Sequence, residues 1–124
     1  MRNFAVAFLT SIATVAGAHV AAAQTADAGP GQKLFQQRCG ACHQIATARN
    51  GVGPNLQNVM GSKAGSVEGF KYSEALLNSG ITWSAETLDT FLTNPGAMVR
   101  GTRMTQRFNK EDERRAIIDY LANR

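Results

Sequence analysis

The sequence predicts an all-α domain on three observations. Apolar residues recur at helical spacing, nothing alternates convincingly with period two, and long Gly- and Asn-rich segments separate the helical stretches. Gly29-Pro30-Gly31 opens a helix running through Leu34 and Phe35 to Cys39. Residues 44–66, rich in Gly, Asn and Ser around Pro54, predict a long loop with at most one short helical turn. Loops this long in a compact domain are usually functional or wrapped around something. Ser73 is placed to cap a short helix through Leu76 and Leu77 that ends at Gly80. Ser84 caps another, with Leu88, Phe91 and Leu92 on one face and Asn94-Pro95 as its stop. A second irregular segment runs from Gly96 to about Phe108. Asn109 then caps a last helix, with Glu111, Asp112 and Glu113 against its positive end and Ile117, Tyr120 and Leu121 on its apolar face.

Residues 1–23 read as a secretory leader rather than part of the fold. Arg2 provides the positive start, Phe4 to Val15 the apolar stretch, and Ala21-Ala22-Ala23 an A-x-A cleavage pattern. The cut falls after Ala23, with Ala28 as the other candidate; an uncleaved leader would be a membrane anchor, although Thr10, Ser11 and Thr14 interrupt its short apolar run. Residues 24–28 form a short tail, and 29–124 a single domain without internal repeats. The 13 Lys and Arg against 9 Asp and Glu give a mildly basic chain. No dense cationic run or nucleic-acid motif accompanies them, which excludes that class and leaves docking to an acidic partner.

Cys39-Gly40-Ala41-Cys42-His43 carries the chemistry. This spacing is the attachment site of a c-type haem. Each thiol adds to one vinyl group as a thioether, and the next side chain is carried under the ring, where its imidazole reaches iron. Zinc would need about four ligands. Past the leader, which takes His19 with it, only Cys39, Cys42 and His43 remain as cysteine or histidine. A thioredoxin-like pair would need a βαβ context, and a plain disulfide explains neither His43 nor the loops. With His43 as one axial ligand, Met60, Met98 and Met104 are the candidates for the other. Met104 stands out because Gly101-Thr102-Arg103-Met104 lies far from the motif in an irregular segment, with Met98 in the same loop as its rival. Methionine anywhere is commonly a core gap-filler.

From Gly29 to Leu121 the chain resembles class I cytochromes c of the short, mitochondrial-like bacterial kind. The resemblance rests on the motif, on Gly31-Gln32-Lys33-Leu34-Phe35 before it and on Gly53-Pro54-Asn55-Leu56 after it. It continues through Gly69-Phe70-Lys71-Tyr72-Ser73, Gly80-Ile81-Thr82-Trp83, Asn94-Pro95 and Gly101-Thr102-Arg103-Met104. It implies a small cytochrome c fold, four to five helices and long loops around one covalently bound haem c. It also implies Met104 as the second axial ligand and the Pro54 carbonyl as acceptor from His43. Tyr72, Ser73 and Trp83 become haem-propionate contacts, and Gly31, Phe35 and Tyr120 the contact between first and last helices. Four positions depart from the pattern. Arg100 replaces a proline, Phe91 a tyrosine that bonds the methionine sulfur, Ser62 an arginine near a propionate, and Gln106 an aromatic at the haem edge.

His/Met ligation raises the haem potential and leaves iron no open position, so the implied activity is one-electron carriage rather than catalysis. The alternative is a weak peroxidase or gas-binding module with a labile sixth ligand, which Arg100 would favour. The implied setting is the periplasm. The implied partners are a cytochrome bc complex, a terminal oxidase, a photosynthetic reaction centre or soluble periplasmic redox enzymes. Arg38, Lys63, Lys71, Arg100, Arg103 and Arg107 are the candidate docking rim of a monomer.

Overall fold

The structure is a computed structural model and describes residues 29–124. The leader (1–23) and tail (24–28) inferred from the sequence lie outside the described residues. Five helices and no strand occur among the described residues: α1 Pro30–Arg38, α2 Glu74–Leu77, α3 Ala85–Thr93, α4 Pro95–Met98 and α5 Glu111–Ala122. One isolated antiparallel bridge, Lys63 with Thr82, closes the loop between α1 and α3.

Local chemistry explains the helix ends. Pro30 sits in the first turn of α1, where its missing N–H costs nothing. Ser73 caps α2 by accepting from the Leu76 N–H at 3.2 Å. Ser84 and Thr87 form a reciprocal capping box on α3, with bonds of 3.1 and 2.8 Å. Two sequence expectations are corrected. Asn94-Pro95 ends α3 but immediately starts α4, because Asn94 Oδ1 accepts from the Ala97 N–H and Pro95 fits the first helical position. The residue capping α5 is Lys110, not Asn109, and no side-chain capping bond forms there. The three acids of its first turn face the helix's positive end instead.

Helices α1 and α5 cross at Gly31, where an added Cβ would lie 2.8 Å from Tyr120 Cβ and strike the Ala116 carbonyl. The crossing is filled by Phe35 and Tyr120, whose ring centroids are 5.5 Å apart. Helix α3 packs on α5 through Leu88, Phe91 and Leu92 against Ile117, Ile118 and Leu121, all buried. Arg114 is also buried; its Nε donates to Asp89 on α3 at 2.7 Å and its guanidinium to the Phe108 carbonyl at 2.9 Å. The helices thus form a frame on one side of the molecule. The segments 44–72 and 99–109 complete a cavity against it.

Candidate functional site

The cavity encloses about 1010 Å³, at the upper end of the roughly 300–1,000 Å³ usual for cofactor pockets. Cys39, Cys42, His43 and Met104 all line it, as do Tyr72, Ser73 and Trp83. The C-terminal end of α1 delivers the cysteine motif. The Cys39 and Gly40 N–H groups both donate to the Phe35 carbonyl, and the His43 N–H donates to Cys39 O at 2.9 Å. The turn so formed aims Cys39, Cys42 and His43 into one space. Both thiols are free and half-buried. Burial pushes the Cys39 thiol up to about 11, against the opposing pull of the Arg38 guanidinium. A thiol so protonated is a poor redox nucleophile, unlike the lowered thiol of a catalytic dithiol pair.

His43 Nδ1 lies 2.8 Å from the Pro54 carbonyl oxygen. A carbonyl only accepts, so Nδ1 carries the proton and the lone pair is on Nε2. Burial holds the ring below its usual pKa, only partly opposed by the Pro54 bond, which keeps that lone pair unprotonated. Gly53 packs flat on the ring. A Cβ there would lie 2.6 Å from Nδ1 and 2.9 Å from Nε2.

Of the three candidate methionines, only Met104 lines the cavity; Met98 instead borders a surface depression between α3 and α4. The Met104 segment is held on both sides. Arg103 donates to the Lys71 carbonyl at 2.8 Å, and Phe108, almost wholly buried, donates its N–H to Leu92 O at 2.9 Å. Tyr72 OH accepts from the Val67 N–H at 3.2 Å, leaving its own proton to donate. The Trp83 indole packs edge-on against Phe91 at 5.1 Å, and its N–H has no hydrogen-bond partner among the described residues. The Ser73 hydroxyl accepts from α2, and the Ser62 hydroxyl donates to Val59 O.

The donor set fits a haem. Two thiols sit beside an imidazole with a free Nε2, a thioether lines the same cavity, and phenol and indole donors await acceptors. Among the described residues no three His, Cys, Asp or Glu side chains are arranged to hold a metal ion by themselves. Of the candidate rim, Arg38 is paired with Glu113 at 3.3 Å. Lys63, Lys71, Arg100, Arg103 and Arg107 are exposed and make no ion pair among the described residues. Sequence reasoning missed Asn50, half-buried, and Asn55, which is buried; together they brace the loop carrying Pro54. Asn55 lay inside a quoted block, whereas nothing local singled out Asn50.

A helical frame around such a cavity, with two thiols and an imidazole in one motif, defines a small c-type haem protein. The chain belongs to the cytochrome c family, whose family model, described as Cytochrome c, matches residues 28–124. It is 48% identical over 116 residues to a cytochrome c2 of Rhodomicrobium vannielii, covering 90% of this chain and 92% of the relative. It is 50% identical over 98 residues to a cytochrome c2 of Rhodoblastus acidophilus, covering 77% and 91%. The solved structure of cytochrome cH from Methylobacterium extorquens superposes with a TM-score of 0.71 at 38% identity, covering 76% of this chain and 95% of that one. Membership brings a covalently bound haem c, with Cys39 and Cys42 fitting its attachment motif, and electron transfer between redox partners rather than enzymatic turnover.

Proposed function

We propose that the chain is a soluble, monomeric, periplasmic one-electron carrier whose haem is held by Cys39 and Cys42 and ligated by His43 and Met104. The observation that carries this reading is the meeting of both thiols, a neutral imidazole with its Nε2 lone pair free, and Met104 in one cavity. The bound haem supplies a one-electron couple. The chain's own residues set its surroundings. Pro54 orients the imidazole, the leucines and Phe91 exclude water, and Tyr72 and Trp83 offer donors to the propionates.

Export by the 1–23 leader, followed by the 24–28 tail and the 29–124 domain, completes the reading. Among the described residues no helix is long and apolar enough to cross a membrane. The partners are a cytochrome bc complex, a terminal oxidase, a photosynthetic reaction centre or soluble periplasmic redox enzymes. They dock on Lys63, Lys71, Arg100, Arg103 and Arg107, with Arg38 drawn out of this set by Glu113.

The test is the absorption spectrum of protein matured in a periplasm, beside Met104→Ala. A low-spin spectrum with the weak far-red sulfur-to-iron band, absent from the variant, supports the ligation. Covalent haem without that band in the wild type overturns it and moves gas binding or peroxidase chemistry ahead.

A further inference from the structure

We propose that Asn50 is a positioning residue for the axial imidazole, acting through the single peptide that joins Pro54 to Asn55. The inference rests on the reading of His43 as an iron ligand. The carbonyl that accepts from His43 Nδ1 at 2.8 Å and the N–H that donates to Asn50 Oδ1 at 2.9 Å belong to that one peptide group. The result is an unbroken chain of hydrogen bonds from the Asn50 amide, through one peptide plane, to the ring.

Every orientation in this chain is fixed by its partners. The Asn55 N–H can only donate, so the Asn50 oxygen faces it. The Glu68 carbonyl can only accept, so the Asn50 nitrogen faces that, at 3.0 Å. Asn50 is therefore pinned from the neighbouring loop with its acceptor aimed at the peptide. Asn55 adds a second donor to the same oxygen at 3.0 Å and is 7% exposed, and Gly53 is buried on the ring. Little water reaches this peptide to replace the bond.

Hydrogen bonds in series polarise one another, by about 10–30% per bond. An acceptor on the N–H side makes the Pro54 oxygen a better acceptor from Nδ1–H. The ring then becomes more electron-rich at Nε2, which favours the oxidised iron. Asn50 thus contributes to both the ring's angle and its basicity, although it lies outside contact with it. A loop staple alone has no need to engage this particular N–H.

The test uses the nitrogen-15-labelled, reduced holoprotein. Strongly upfield-shifted His43 ring protons in the wild type verify ligation; their absence overturns the ligation and this inference together. With them present, Asn50→Leu is expected to move the His43 Nδ1 proton upfield and speed its exchange by about tenfold, the loss of roughly one hydrogen bond. The reduction potential is expected to rise. Asn50→Asp keeps a stronger, charged acceptor toward Asn55 N–H and is expected to move the same proton downfield. Asn55→Ala removes the side-chain bonds to Ala48, Gln57 and Asn50 Oδ1 but leaves the Asn55 backbone N–H donating to that oxygen, so it lowers stability with a smaller shift at His43 than Asn50→Leu. The proposal is overturned if both Asn50 variants shift the proton in one direction. It is also overturned if neither variant moves the proton, or if Asn55→Ala moves it as far as Asn50→Leu.

Discussion

Replacing Gly53 with alanine tests whether the imidazole is held by shape as well as by bonding. The Cβ of Gly53→Ala would lie 2.6 Å from His43 Nδ1 and 2.9 Å from Nε2, closer than any relaxed contact. The ring must retreat by roughly 1 Å to recover ordinary van der Waals separation. The Nδ1–Pro54 bond, now 2.8 Å, then stretches beyond hydrogen-bonding range. Overpacking costs about 1–3 kcal/mol, and a buried donor left without its acceptor about 1–3 kcal/mol more. A loss near 3 kcal/mol is expected, a large share of the about 5–15 kcal/mol available to a small domain. The assay is denaturant unfolding of the holoprotein, with the far-red band recorded alongside. Gly29→Ala is the control, because a Cβ there meets nothing within 4 Å. Equal midpoints for the two variants, with an unaltered spectrum, would refute the packing argument.

Gly31→Ala should cost at least as much, about 3 kcal/mol by thermal unfolding, because the added carbon meets helix α5 backbone rather than a movable tip. Asp89→Ala strands the buried Arg114 guanidinium and should destabilise by about 1–2 kcal/mol; adding Arg114→Met should recover part of that loss in a double-mutant cycle. Burial raises the Tyr72 phenol above its usual value, with the Val67 N–H partly opposing it. The unfolded chain therefore sheds this proton first as pH rises, and stability should decline above about pH 10. Tyr72→Phe should flatten that limb of the pH–stability curve, and an unchanged slope would refute the assignment.

Helices were legible where a polar residue precedes an apolar face, as at Ser73 and Ser84, because capping is a local bargain between a side chain and nearby N–H groups. Asn109 shows the limit. A residue of the right type stands one position too early, and the chain begins α5 after Lys110 without a side-chain cap. Asn94-Pro95 was legible as a stop and equally readable as a start, since proline suits a first turn as well as it ends a preceding helix. The cysteine motif and the far-off methionine stood out as candidate chemistry, because few residue types bind iron. Their convergence on one cavity is a tertiary property. So is the bracing of Pro54 by Asn50, whose Nδ2 reaches eighteen residues along the chain to Glu68 O. Nothing local in the sequence singles out Arg114, and only its partners on α3 and at Phe108 explain its burial.

The loop that carries Met104 owes its position to those same non-local bonds. Its interior holds Arg100 and Gly101, the latter with φ of +97°, so little in its own sequence stiffens it. Its ends are fixed from outside. Arg103 reaches the Lys71 carbonyl on one side, while Phe108 is gripped by Leu92 of α3 and by Arg114 of α5 on the other. Constraint on the loop therefore comes from bonds at its two ends rather than from its own backbone. The consequence is specific: loosening α3 from α5 at Asp89 should also weaken the sulfur-to-iron band, although Asp89 does not line the cavity. A variant that loses stability through Asp89 yet keeps that band at full strength would show that the loop holds itself.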